Sequence, residues 1–182
     1  MLRKLKHHEA KLLRKVDFLE YPKEKNVVEI KAVAKYGLKN REEYLQYHQV
    51  SCEIKRLARK LATLQPTDSF RIDQEKLLVD KLFHMGILSD RNTVSQVLNV
   101  RAESFCRRRL NVILCRLNMA DTIKDANKFI QHGHVRVGVE TANDPAMLIT
   151  RSNEDFVTWV DSSAIKRHVM KYNNKLDDYD LL

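Results

Sequence analysis

The chain has 182 residues, with 33 lysines and arginines against 24 acidic residues, which gives a net charge of +9 at pH 7. This length is enough for one domain, or for a small domain with a helical region beside it. The positive charge favours a polyanionic partner, with nucleic acid ranked above an anionic membrane. No apolar run approaches the roughly 20 residues that span a bilayer, and the charged N-terminus is not a secretory signal, so we expect an intracellular protein.

The first hundred residues are expected to be helical, because only 4 glycines and 3 prolines interrupt the whole sequence. Apolar residues at helical spacing predict helices over residues 2–19, ended by Pro22, and over residues 70–85, ended by Gly86. The first of these carries six cations around an apolar stripe, and both RNA and a protein partner remain open as its contact.

A third helix is predicted over residues 41–64. Its apolar residues alternate spacings of three and four and form a seam that another helix must cover. We favour internal packing, and a partner helix is the alternative. The seam consists of Tyr47, Val50, Ile54, Leu57, Leu61 and Leu64.

From Cys106 onward the pattern predicts two shorter helices separated by "MADT". The first, in "CRRRLNVILCRLN", has an apolar face, and the second begins at Thr122, which caps it together with Asp125, and ends at Gly133. The predicted inner residues are Leu110, Ile113, Leu114 and Leu117 in the first helix and Ile123, Ala126, Phe129 and Ile130 in the second.

Two short strands follow these helices. In "HVRV" the period is two, so the valines point one way and His134 and Arg136 the other. "DFVTWV", residues 155–160, is the predicted partner strand, and Asn143-Asp144-Pro145 is turn chemistry. Trp159 is expected to pack in the strand rather than stack on a base, and residues 161–182 predict a basic helix followed by the acidic tail "LDDYD".

The cations of this region fall on two helix flanks and one strand face. Three consecutive arginines lie at or before a helix start, where the helix macrodipole disfavours cations, so we infer a role in binding phosphate. Ordinary solvated faces are the alternative. The predicted RNA-facing residues are Arg107, Arg108, Arg109, Arg116, Lys124, Lys128, His134 and Arg136.

The stretch "RRRLNVILCRLNMADTIKDANKFIQHGHVRVG", followed by "NDP" and a strand, resembles the S4-type RNA-binding module, named after a small-subunit ribosomal protein. Three positions depart from the family pattern. Met119 stands where glycine is usual, Gly138-Val139 replaces Asn-Gly, and Asn127 replaces an arginine expected to contact phosphate. The residues that fit are Arg109, Leu110, Ile113, Leu114, Ala120, Thr122, Ala126, Gly133, His134, Val135, Val137 and Pro145.

Nearly the whole chain, through "RKLKHHEAKLLRKVDFL", "LLVDKLFHMGIL", "FCRRRL" and "EDFVTWVDSS", is similar to the S4-like proteins of the U3 small nucleolar ribonucleoprotein. That resemblance implies a non-enzymatic assembly factor of the small-subunit processome in the nucleolus. It would help U3 small nucleolar RNA pair with precursor ribosomal RNA, beside a scaffold phosphoprotein and a sister subunit.

The rival interpretations are an enzyme, a ribosomal protein of the mature small subunit, and a protein-binding scaffold whose charge is incidental. The sequence has no glycine-rich phosphate loop or nucleophile elbow, and its histidines and three cysteines lack metal-ligand spacing, so we expect no catalytic residue, metal or cofactor. The predicted fold class is α+β. Residues 1–105 form a helical region, 106–160 an S4-type module of two helices on a short β-sheet, and 161–182 a C-terminal helical tail.

Overall fold

The computed structural model describes residues 3–15, 23–91 and 94–175, and it has the predicted α+β composition, with helices followed by a small sheet. The side chains of residues 12–15, 23–26 and 94 are not described. The first part of the chain contains α1 (His7–Lys15), α2 (Lys23–Tyr36), α3 (Arg41–Ala62), α4 (Ser69–His84), a 3-10 helix (Val94–Asn99) and α5 (Ala102–Cys106).

The bounds of α3 and α4 confirm two predicted helices. Asp68 caps α4 by accepting a hydrogen bond from the backbone of Phe70, and Gly86 follows its end with φ +75°. The sequence analysis did not predict α2, the 3-10 helix or α5. Pro22, the predicted end of the first helix, and the acidic tail "LDDYD" lie outside the described residues.

The predicted seam of α3 is buried on one side only. Ser51, Ala58 and Leu61 are the buried residues of α3, and α4, α5 and the 3-10 helix pack against it. Leu57 of the predicted seam remains 47% exposed, and Val50 is exposed as well. The favoured internal packing therefore holds for Tyr47, Ile54 and Leu61, whereas Val50, Leu57 and Leu64 stay exposed.

The second part of the chain contains α6 (Leu110–Arg116), α7 (Ile123–Gln131), α8 (Arg151–Glu154) and α9 (Ala164–Tyr172). Its antiparallel sheet has the order β2-β1-β3, where β1 is Val135–Val137, β2 is Glu140–Thr141 and β3 is Val157–Trp159. The pairing of β1 with β3 confirms the predicted strand partner, and β2 was not predicted.

The two helices and the sheet enclose one core. Thr122 accepts a hydrogen bond from the backbone of Asp125, which confirms the predicted cap of α7. One predicted core residue was wrong, because α6 begins only at Leu110 and ends at Arg116, so that Leu117 lies beyond it and is exposed. The buried residues of this core are Leu110, Ile113, Leu114, Ala120, Ala126, Ile130, Val135, Ala142, Ile149 and Val157.

A second core joins α3, α4, the 3-10 helix and α5, and a third, smaller one joins the end of α2 to Cys106. Across residues 3–15, 23–91 and 94–175, no helix combines the length and the apolar character needed to cross a membrane.

Candidate RNA-binding surface

The segment between α5 and α6 is a short turn that ends in the extended residue Arg109, and it pairs with the loop that precedes α8. The backbone N–H of Leu110 donates to Met147, and that of Ile149 donates to Arg108, at 2.9 Å each. An isolated bridge joins Arg109 to Leu148. This pairing fixes the backbone of two of the three consecutive arginines inside the structure.

Arg109 is fully buried, with 0% of its surface exposed. Its Nη1 donates to a carboxylate oxygen of Glu43 at 2.9 Å and to the hydroxyl of Tyr47 at 3.1 Å, both on α3. The guanidinium carbon also lies 6.0 Å from the centre of the Tyr47 ring. Arg109 thus joins the helical region to the second part of the chain.

Arg108 is buried in the other direction, with 5% of its surface exposed. Its Nε and Nη2 donate to the carbonyl of Ile149 at 2.9 and 2.7 Å, and its Nη1 donates to Glu154 at 3.0 Å. Burial opposes the charged form of Glu154, but the hydrogen bonds and charges of Arg108 and Arg116 outweigh it, so the pKa of Glu154 lies below its usual value.

These contacts correct the predicted surface. Arg108 and Arg109 cannot face RNA in this structure, because both guanidinium groups are inside the protein and paired with its own carboxylates. The cations near the start of α6, which the macrodipole disfavours, are stabilised by internal ion pairs instead. Only Arg107 of the three is exposed, with 63% of its side chain accessible.

The end of α2 packs against α7 through a polar contact. Asn111 is fully buried, and its side-chain amide donates to the carbonyl of Tyr36 at 3.1 Å and to the side chain of Asn127 at 3.0 Å. At Gly37, directly after α2, a Cβ atom would stand 2.6 Å from a methyl group of Ile123, so the backbone there approaches α7 as closely as glycine allows. Asn127, the departure from the family pattern, therefore has an internal contact here.

Exposed cations surround this contact. Lys35 lies over the Tyr36 ring at 5.4 Å, and the hydrogen bond between Tyr36 and Arg107 raises the pKa of that arginine. Lys124 and Lys128 are exposed beside the two α7 residues that meet α2. We name the set the junction cations; they are Lys35, Lys39, Arg107, Lys124 and Lys128.

Few acidic groups neutralise the junction cations. Lys128 lies 3.5 Å from Asp125, and Arg107 lies 3.6 Å from Glu103. Among the described residues, no carboxylate lies within 4.0 Å of the ammonium groups of the other three. The surface is therefore positive and solvated, as phosphate binding requires.

The remaining predicted residues lie at two other places. Arg116 is half-exposed and pairs with Glu154 on α8. Arg136 lies on the outer face of the sheet, where it donates to Thr158 at 3.0 Å and to Asp161 at 2.6 Å. His134 shares a 3.0 Å hydrogen bond with Ser163, the cap of α9. The eight predicted residues do not form one continuous surface.

The sequence analysis missed Lys35 and Lys39, because it did not predict α2. Gly37, which follows the end of α2 and precedes Lys39 by two residues, was the available signal. The expectation for Trp159 is confirmed, since its ring packs edge-on against Phe129 with centroids 5.7 Å apart.

The described residues contain no group of histidine, cysteine or acidic side chains placed to hold a metal ion.

Comparison with known proteins gives matches to two families along the chain. Residues 4–107 match the Ribosomal protein S4/S9 N-terminal domain, and residues 108–155 match the S4 domain. The junction cations come from both regions, because α2 lies in the first and α7 in the second.

The relatives of the chain include proteins of two kinds. The U3 small nucleolar ribonucleoprotein protein IMP3 of Saccharomyces cerevisiae is 51% identical over 99% of each chain, and that of Homo sapiens is 48% identical over 100% of this chain and 99% of its own. The Small ribosomal subunit protein uS4 of Hyperthermus butylicus is 33% identical over 78% of this chain and 79% of its own.

Proposed function

The chain belongs to the family of U3 small nucleolar ribonucleoprotein IMP3 proteins, and we propose from this that it is a nucleolar assembly factor of the small ribosomal subunit. In this role it promotes or stabilises the pairing of U3 small nucleolar RNA with precursor ribosomal RNA. It acts by binding, without catalysis, in a particle that also holds a scaffold phosphoprotein and a sister subunit.

The arrangement of the junction cations is the observation that carries the RNA-binding part of this proposal. Two RNA strands that approach one another repel through their phosphates, and clustered lysine and arginine side chains lower that repulsion without reading sequence. Structured RNA is recognised mainly through its shape, phosphates and 2′-hydroxyl groups, so a solvated cationic surface is sufficient.

The buried arginines contribute rigidity to this surface. Arg109 pairs with Glu43 on α3, so a charged hydrogen bond joins the two family regions. Arg108 holds the same short segment to the region around α8 within the second family region. Since the junction cations come from both regions, a fixed relation between those regions presents them together to the same RNA.

A pairing assay tests the proposal. Fluorescent RNA strands with the sequences of the U3 and precursor pairing segments are mixed with and without protein, and the rate of duplex formation is measured. We expect the wild-type protein to raise the rate, and the double variant Lys124→Glu and Lys128→Glu to lose most of that gain, about tenfold at low salt. The control variant Arg59→Glu and Lys76→Glu changes the net charge equally on exposed positions of α3 and α4 and is expected to behave as wild type.

The alternative role is that of a structural protein of the mature subunit. The relatives named as small ribosomal subunit proteins cover about four-fifths of the chain, whereas the IMP3 proteins cover nearly all of it at higher identity. Sedimentation of cell extracts distinguishes the two roles. We expect the protein in precursor particles, and its presence in translating ribosomes would support the alternative.

A further inference from the structure

An apolar groove of about 510 Å³ runs between the second half of α3 and α4, and nothing in the proposed RNA surface uses it. One side of it is the end of the predicted α3 seam, where Leu57 and Leu64 remain exposed. The lining residues are Leu57, Lys60, Leu61, Leu64, Phe70, Gln74, Leu77, Leu78 and Lys81.

The walls of the groove are two rows of side chains at helical spacing. Leu57 and Leu61 on α3, and Leu64 two residues past its end, follow one another at four and three residues. Phe70, Gln74 and Leu77 have the same spacing on α4. Leu77 is 62% exposed and Phe70 is 59% exposed. Contiguous apolar area of this kind marks an interaction site in soluble proteins, and two such rows accept the apolar stripe of a third helix.

The charge at the groove selects the partner. Lys60 and Lys81 line it and are exposed, and no carboxylate of the described residues lies within 4.0 Å of either ammonium group. The N-terminal segment around α1 is rich in lysine and arginine, and a second copy of the chain presents the same lysines and a net charge of +9. Both are repelled by these two cations.

We propose that this groove binds an amphipathic helix of a protein partner, in which an apolar stripe of leucine-like residues is bordered by aspartate or glutamate. The stripe fills the groove between α3 and α4, and the acidic borders pair with Lys60 and Lys81. The partner site is separate from the junction cations, so the protein holds RNA and an acidic protein helix at different places.

The test uses a defined peptide as the probe. An 18-residue fluorescent helix with a leucine stripe bordered by glutamate is titrated with the full-length protein, and anisotropy reports binding. A second peptide carries lysine in place of glutamate. We expect Leu77→Asp to weaken binding of the first peptide roughly tenfold to a hundredfold, which is the value of burying one leucine side chain. Ile72→Asp is the matched control, because Ile72 is an exposed residue of α4 that does not line the groove.

A second pair of variants tests the charge. Reversal at Lys60 and Lys81 is expected to weaken the glutamate peptide and to favour the lysine peptide, whereas Lys76→Glu, on α4 outside the groove, leaves both unchanged. Leu77 and the lysines are exposed, so thermal unfolding of each variant is expected at the wild-type temperature, which confirms that loss of binding is local.

Four results would overturn the proposal. These are equal binding of the two peptides, equal binding by Leu77→Asp and wild type, tighter peptide binding after deletion of residues 176–182, and a dimer in sedimentation that Leu77→Asp dissociates. The third would assign the groove to the chain's own acidic tail and the fourth to a second copy. RNA affinity is measured on the same variants and is expected to stay constant, so failure here leaves the proposed function untouched.

Discussion

Replacement of Arg109 by methionine separates an internal role for this arginine from a role in RNA binding. Methionine keeps most of the apolar stem but removes the guanidinium, so Glu43 loses a partner at 2.9 Å and the Tyr47 hydroxyl loses one at 3.1 Å. Breaking a buried ion pair costs about 3–5 kcal/mol, and Glu43 retains 24% side-chain exposure, which lowers that figure. Two guanidinium nitrogens without partners are also removed, which offsets part of the loss.

We therefore expect the free energy of unfolding to fall by about 2–4 kcal/mol in Arg109→Met, measured by urea denaturation followed by circular dichroism. Arg107→Met is the matched control, because that side chain is 63% exposed and its ion pair with Glu103 is long, at 3.6 Å. We expect its free energy of unfolding to change by less than about 0.5 kcal/mol. Equal stability of the two variants, or loss of RNA affinity in Arg109→Met at unchanged stability, would refute the internal role.

Three further predictions follow from local contacts. Gly37→Ala is expected to lower stability by clearly more than the roughly 1 kcal/mol expected for Gly138→Ala, because both glycines have positive φ but only the first would clash with α7; thermal unfolding of the two variants checks this. The lowered pKa of Glu154 stabilises the fold above the unfolded-state pKa, near 4.5, and that contribution is lost as the pH falls through the folded-state value. Glu154→Gln should therefore flatten the curve of stability against pH on the acidic side of about pH 5, as urea denaturation at a series of pH values would show. Burial raises the pKa of Cys106 to about 11, so its thiol stays protonated at pH 8. An alkylating reagent at that pH should label the exposed Cys52 and leave Cys106 unmodified until the protein unfolds, as mass spectrometry of the labelled peptides would show.

The helices and strands of the second half were predictable because their signals are local. α7 carries its cap, its apolar stripe and its terminal glycine within twelve consecutive residues, and β1 alternates at a period of two. α2 was not predicted, since its buried face rests on Ala32 and Tyr36 while Val27, Val28 and Ile30 are exposed, which obscures the helical period.

The burial of two arginines was not predictable from local pattern. Glu43 lies 66 residues before Arg109, and Glu154 lies 46 residues after Arg108. A run of arginines has the same appearance in the sequence whether its partners are phosphates or distant carboxylates. Only the fold, which places α3 and α8 on either side of the segment, distinguishes the two.

Asn127 illustrates the same limit. By comparison with the family pattern it was a missing phosphate contact, and in the structure its side chain accepts a hydrogen bond from the buried Asn111 beside α2. At this position an internal hydrogen bond stands in place of the phosphate contact that the family pattern implies. The cations that surround it on α2 and α7 supply positive charge at the same place.

The salt dependence of RNA affinity tests the central claim most directly. If the five junction cations neutralise phosphates of a single strand, the logarithm of the association constant should fall with the logarithm of salt concentration at a slope of about −3.5. Replacing Lys124 and Lys128 by alanine should change the slope to about −2.1, while the same replacement at Arg59 and Lys76 leaves it as it was. An unchanged slope in the first double variant would show that the RNA phosphates bind elsewhere on the protein.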